Sequence, residues 1–454
     1  MTARAALVFA LTLIAGSSAS ASAPATTIQI ANNMVVDGID PSIVIDGLPS
    51  GREVRVHALR TLDKWQQGRD GAWARLPSTV HAWGDFVADS EGRIALATAQ
   101  PLRGTYDDPD PLGLIWSGKL SQPLPNGLAP DLMSSNTLKL AVYDGSRLLA
   151  SLDIALVAAR NGLTNMRVHE SGLDGYFAAP AGRKNPVVIV LHGSEGGSPA
   201  KAEAEARRFA ARGFAALALN YFTQPYEAID GVPTDLANIA VEQIDRARGW
   251  LARRPEADVK GIGLYGTSKG AELALVAAAT YRWIDAVVAC VPSDIVWEGG
   301  GAQSKTGPRP SSWRVAGKPV PFVRLLPFDA KTNKWKTNSE RYLESRAIYA
   351  RDVPAATIKV NRSRASFLLL SGGRDEVWAS AAMSRAIAAK LPKGRAKVID
   401  HPLAGHQICG TGQFPPYLYG RDRTEVWASS PRAEGTAAAA NWRTTVDFLW
   451  AALK

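Results

Sequence analysis

The chain has 454 residues, 46% hydrophobic and 21% charged, and its 52 Lys+Arg against 42 Asp+Glu give a net charge of +10. This composition excludes a collagen, a coiled coil and a wholly disordered chain, and the length exceeds what one hydrophobic core usually organises, so two domains are expected. The basic surplus points to nucleic acid, a membrane surface, an acidic substrate or plain solubility, depending on where the charges fall.

The N-terminus carries Arg4, an apolar run from Ala5 to Ala15, and a small-residue stretch from Gly16 to Ala25 with Ala19-Ser20-Ala21. That is the layout of a secretory signal over residues 1–21, cleaved after Ala21. The run is too short to span a bilayer comfortably, and no other stretch is long and apolar enough, so the expectation is a soluble, exported, periplasmic or secreted protein. The only two cysteines, Cys290 and Cys409, are free to pair in an oxidising compartment, or to stay as two separate buried thiols; neither has metal or redox spacing.

From residue 27 to about 158 the pattern is short and β-like. Candidate strands are Ile43 to Ile45, Glu53 to Leu59, Val80 to Val87, Ile94 to Ala97 and Leu138 to Tyr143, with turn signals such as Asp37-Gly38 and Asp144-Gly145. This predicts a β-sandwich. After Asn161-Gly162, strand-like runs alternate with helical ones. An edge-type strand is expected at Gly175 to Ala179, and further strands at Val187 to Leu191, Ala215 to Leu219, Val259 to Tyr265, Ala286 to Cys290, Phe367 to Leu370 and Val398 to Pro402. Helices are expected at Lys201 to Ala211, Leu236 to Leu251, Ala271 to Ala279 and Ala437 to Leu453. Such alternation predicts a mostly parallel, doubly wound sheet over residues 164–454. Residues 302–343, rich in Pro, Lys, Arg and aromatics, break it and read as a cap.

Gly266-x-Ser268-x-Gly270 ends an apolar strand and opens an Ala-rich helix, the setting of a nucleophile elbow. A serine needs a base, and the fold supplies one after a late strand. Only His401 and His406 follow Ser268. His401 lies within a strand and reads as structural, whereas His406 lies on the loop beyond it and is preferred. The orienting acid is expected at Asp375, after Phe367 to Leu370, with Glu376 as fallback; Asp294, after Ala286 to Val291, is an alternate position for it or else a solvated loop carboxylate. An oxyanion hole would use the backbone N–H of Lys269 and one from the loop His192-Gly193-Ser194-Glu195-Gly196-Gly197, at Ser194 or Glu195. That loop lacks P-loop spacing, and neither a metal nor a cofactor is called for.

These residues resemble the acyl-CoA thioesterase / bile acid-CoA:amino acid N-acyltransferase family over nearly the whole mature length. The similarity rests on Asp40-Pro41 with Ile45-Asp46-Gly47-Leu48, on Trp83 with Asp89, and on the run from Tyr106-Asp107-Asp108-Pro109-Asp110-Pro111 to Trp116-Ser117. It continues through Leu191-His192-Gly193-Ser194, Gly266 to Leu275, Pro292-Ser293 with Val296-Trp297, Ser371-Gly372 with Asp375, and Ala404-Gly405-His406. The resemblance implies an Ig-like N-terminal domain before an α/β-hydrolase domain, and a triad of Ser268, Asp375 and His406. It also implies a small-molecule acyl thioester as substrate, with the acyl chain beneath the cap. Family thioesterases use Ser where acyltransferases use Cys, so Ser268 implies hydrolysis. An exported carboxylesterase, an acyltransferase using a non-CoA donor, and a catalytically dead binding protein are the competing expectations.

The charge is not spread along the chain. Residues 302–343 hold nine basic side chains, among them Lys331, Lys334 and Lys336, against Asp329 and Glu340. This argues against a general nucleic-acid surface. The segment reads either as a solvated face or as a cap that steers an anionic acyl substrate.

Overall fold

The computed structural model describes residues 25–67, 73–120, 136–159, 162–300, 309–328, 334–413 and 429–454. The signal-like residues 1–21 and Lys331 lie outside them. The N-terminal part is all β. A three-stranded sheet joins Thr27–Gln29, Val44–Asp46 and Ile94–Ala95, and a seven-stranded sheet is built around the long hairpin Glu53–Gln67 and Trp73–Val87. Thr137–Asp144 and Arg147–Val157 extend that sheet. Inward residues of the two sheets, including Val35, Ile45, Val56, Phe86, Leu140 and Ile154, bury one core, with Trp116 of a short helical turn closing it. Alternation along the strands puts these residues on one face, which is why the pattern is legible.

The second domain is an α/β hydrolase. Its sheet comprises β1 (Leu163–Glu170), β2 (Leu173–Pro180), β3 (Asn185–Leu191), β4 (Ala215–Leu219), β5 (Ala257–Thr267), β6 (Ala286–Cys290), β7 (Ser366–Gly372) and β8 (Ala396–His401). Their spatial order is β1-β2-β4-β3-β5-β6-β7-β8. β1 and β2 are antiparallel to their neighbours, and all pairings from β4 to β8 are parallel. The central strands read as unbroken apolar runs because both faces are covered, by separate clusters.

The covering helices are α1 (Pro199–Ala210), α2 (Glu242–Leu251), α3 (Lys269–Thr280), α5 (Ser380–Ala388) and α6 (Pro431–Ala452), while α4 (Asn338–Ile348) lies over the loop after β6. α1, α4 and α6 begin at Ser198, Thr337 and Ser430, whose hydroxyls each accept a backbone N–H of the first turn. The expected edge strand at Gly175 to Ala179 is the second strand; β1 forms the edge.

Candidate active site

Ser268 stands between β5 and α3 with φ 55° and ψ −116°, a conformation rare for a residue with a side chain. Close packing enforces it. A methyl group on Gly270 would lie 2.3 Å from the Leu191 carbonyl oxygen and 2.4 Å from that of His192. Only glycine lets the elbow approach the end of β3. The Ser268 N–H donates to the Cys290 carbonyl at 2.9 Å, which ties the turn to β6. The N–H of Lys269, in the first turn of α3, belongs to the set a helix leaves unpaired.

His406 and Asp375 meet as a buried pair. The imidazole Nδ1 lies 2.8 Å and 3.0 Å from the two carboxylate oxygens. Asp375 Oδ1 also accepts the N–H groups of Val377, at 2.9 Å, and Trp378, at 3.3 Å. Trp378 packs edge-on against the His406 ring and donates its indole N–H to the Val291 carbonyl. The carboxylate is therefore held from its own loop while it orients the imidazole. Ser268, Ser194, Glu195, His406 and Gln407 line one cavity of roughly 570 Å³.

The loop after β3 brings Gly193 against the serine: a methyl group there would lie 3.4 Å from Ser268 Cβ. The Gly193 N–H is taken by the Glu195 carboxylate at 2.9 Å, and the Ser194 carbonyl accepts the Gln224 side chain. The Glu195 carboxylate thus braces its own loop at the cavity wall, which its place in a Gly-rich loop did not signal. His192 lines the same cavity, with its ring held in place. Its ring stacks on Tyr221 with centroids 4.1 Å apart, the Tyr221 hydroxyl donates to its carbonyl, and burial pushes its pKa down.

Lys269 and Glu272 form an ion pair of 2.8 Å inside α3. Glu272 Oε1 also accepts the Trp313 indole N–H at 2.8 Å and the Trp297 N–H at 3.3 Å, so the pair pins the inserted segment to the elbow helix. Burial drives the Lys269 pKa down and the Glu272 pKa up, against the attraction between them. This buried network was not read from the sequence, although Lys269 and Glu272 stand at helical i,i+3 spacing.

Other expectations resolve plainly. His401 bonds Asn441 at 2.8 Å, a structural role. Asp294 is not solvated: it is buried and held bidentately by Arg346, at 2.6 and 2.9 Å. Its position after β6 suggested a loop, but α4 folds over it. The Glu376 carbonyl accepts the Ser339 N–H. Cys290 and Cys409 form a disulfide, with Cα atoms 5.9 Å apart. Lys334 pairs with Glu344, and the Lys336 N–H donates to Glu340; neither lysine is among the described residues lining the Ser268 cavity.

Residues 239–454 match the family described as BAAT / acyl-CoA thioester hydrolase C terminal, and residues 40–170 match the acyl-CoA thioester hydrolase/BAAT N-terminal region. The chain belongs to this family. It is similar to mitochondrial acyl-coenzyme A thioesterase 2 of Mus musculus, 28% identical over 383 residues, covering 80% of this chain and 78% of that protein. It is also similar to acyl-coenzyme A thioesterase 1 of Homo sapiens, 26% identical over 386 residues, covering 80% and 84%. Among solved structures, the α/β hydrolase GrgF from Penicillium sp. sh18 aligns with 64% of this chain and 99% of its own at 13% identity and a TM-score of 0.39. The fold assignment rests on strand order and the elbow rather than on that alignment.

Two of the N-terminal segments behind the resemblance, those holding Asp40 and Asp107-Asp108, reach the second domain. Arg432 of α6 contacts Asp107 and Asp108, while Asp110 accepts the Trp116 indole N–H at 2.8 Å. Arg443 holds Asp40, and the Trp442 indole N–H donates to the Gly38 carbonyl at 3.1 Å. Asp37 pairs with Arg208, which lines the Ser268 cavity, and accepts the hydroxyl of Thr411, five residues beyond His406. Among the described residues no helix is long and apolar enough to cross a membrane.

Proposed function

We propose that this protein hydrolyses acyl thioesters through an acyl-enzyme on Ser268. The observation that carries the reading is the strained Ser268 sharing a cavity with His406, which is hydrogen-bonded to Asp375. His406 takes the Ser268 proton as the oxygen attacks the acyl carbonyl. Asp375 holds the imidazole tautomer and stabilises the cation that forms. The developing oxyanion rests on the Lys269 N–H, with the dipole of α3 behind it, and on an N–H of the Ser194–Glu195 loop. The imidazolium then protonates the leaving thiolate. In the second half-reaction His406 activates water, which releases the acid and restores Ser268.

The signal-like residues 1–21 and the disulfide support export to an oxidising compartment. Free acyl-CoA is not expected there. Those two observations favour a second reading in which the same chemistry acts on a non-CoA thioester or an oxygen ester. One panel of acyl-CoAs, nitrophenyl esters and amides decides between the substrates. Ser268→Ala, run beside it, is expected to lower kcat about 10³-fold or more. Unchanged hydrolysis in that variant removes the mechanism.

A further inference from the structure

The disulfide joins the two halves of the proposed machinery. Cys290 ends β6 beside the elbow: it is the register partner of Thr267, and its carbonyl accepts the Ser268 N–H. Cys409 lies three residues after His406 and lines the same cavity as Ser268. Beside the bond, Ile408 is buried and Thr411 donates to Asp37, while among the described residues the backbone between His406 and Cys409 makes only long hydrogen bonds. The Gln407 N–H reaches Glu434 at 3.4 Å, and the Ile408 carbonyl accepts the Asn441 side chain at 3.2 Å. Gly410 and Gly412 follow at once, both at positive φ, and Gly412 packs against α6, where a methyl group would lie 2.7 Å from Ala439 Cβ. His406 itself, on a loop rather than on an element, depends on what anchors that loop.

We infer that the Cys290–Cys409 bond is a covalent strap that positions His406 against Ser268, so that hydrolysis depends on the oxidised state of this pair. This rests on the reading of Ser268 and His406 given above. Cys290 and Cys409 act through His406 and are positioning residues. Cys290 is fully buried, whereas Cys409 is partly exposed, so a small thiol reaches the bond from the cavity side. A dithiol reductant attacks one sulfur as thiolate and forms a mixed disulfide, and its second thiolate then expels the protein. The protein S–S bond breaks and two protein S–H bonds form. The dithiol loses two electrons and two protons and closes its own S–S bond. A chain still in a reducing compartment then holds a loose His406 loop and gains its activity only after export.

The test uses the full mature protein, oxidised and after dithiothreitol, with alkylation and intact mass. The oxidised protein is expected to take up no alkyl group and the reduced protein two. On reduction, kcat should fall at least tenfold with KM within threefold, under conditions where circular dichroism is unchanged. Labelling of Ser268 by a fluorophosphonate should slow in parallel, and both should recover with glutathione disulfide. The double variant Cys290→Ala, Cys409→Ala should match the reduced enzyme and ignore dithiothreitol. Ser268-dependent hydrolysis by the oxidised protein is the baseline. Its absence overturns the reading of the site, and the strap with it. Its presence with an unchanged kcat after reduction, or two free thiols in the untreated protein, overturns the strap alone.

Discussion

Ser268 is held in a conformation that costs on the order of 1–3 kcal/mol, and neighbours without side chains make it possible. Burial imposes a different cost at His57 and His81, where two imidazoles are packed face to face in the N-terminal domain. Their nitrogens lie 2.8 Å apart and their ring centroids 5.1 Å apart. Burial pushes both pKa values down, that of His57 to about 4, with the charges of His81 and Arg55 acting the same way and Asp85 opposing. In the unfolded chain a histidine titrates near ~6.5. Between that value and about 4 the unfolded state binds more protons than the folded one, so stability falls as pH drops through the window and levels off below it. The thermal midpoint should therefore decline from pH 7 to pH 4, and His57→Gln should flatten that part of the curve. Equal slopes for the two proteins would show that the pair carries no such proton linkage.

α6 shows how one element can serve two domains and a loop. Its 22 residues begin at the Ser430 cap, run past the His406 loop and end behind β5. Ala439 enters the core of the N-terminal domain, while Trp442 packs against Phe209 of α1 with centroids 5.0 Å apart and donates to Gly38. Trp442→Ala removes a buried aromatic from that junction and should cost about 3–5 kcal/mol. A urea titration followed by fluorescence and circular dichroism should show the midpoint falling, and a loss under 1 kcal/mol would mean the domains dock without it. Apolar spacing makes this helix legible in the sequence but sets its start at Ala437, because its first turns are polar; the Ser430 cap and Pro431 start it six residues earlier. Elsewhere tertiary contacts overrode local pattern. A helix expected from Leu236 begins only at Glu242, because Leu236 bridges Gly300 and Ile239–Ala240 pair with Trp313–Arg314. The elbow, Asp375 and His406 were legible because the fold's strand-loop order constrains them, whereas Gly193 against Ser268, the Glu272 network and the burial of Asp294 depend on which distant segments fold over the sheet.

The charge surplus is a matter for the whole molecule. Among the described residues of its basic segment, 302–343, the basic side chains do not line the cavity: Lys334 is bound to Glu344 and stands over the Trp335 ring, and the Lys336 backbone is engaged by Glu340. Exposed pairs of this kind contribute little energy, but they fix where the charges point. The double variant Lys334→Gln, Lys336→Gln should keep kcat/KM for anionic acyl substrates within twofold at low salt. A drop of tenfold or more would restore a steering role for these two lysines.

A contact between the N-terminal domain and the cavity lies instead at the domain junction, at Asp37. This single N-terminal carboxylate takes Arg208 at 2.6 Å and the Thr411 hydroxyl, so it touches both the cavity wall and the loop that carries His406. Asp37 and Arg208 are each only 17% exposed. Removing the carboxylate leaves Arg208 with Glu205 alone and frees Thr411. Breaking a fully buried pair costs ~3–5 kcal/mol; with this residual exposure, on the order of 2 kcal/mol is expected for Asp37→Ala. Because the loss falls on the His406 loop, kcat should drop while KM changes little, and Asp37→Glu should recover part of it. The measurement is steady-state kinetics beside a thermal melt. If stability falls and kcat does not, Asp37 only fastens the domains together. If both fall, the N-terminal domain is a working part of the active site, held there by one side chain.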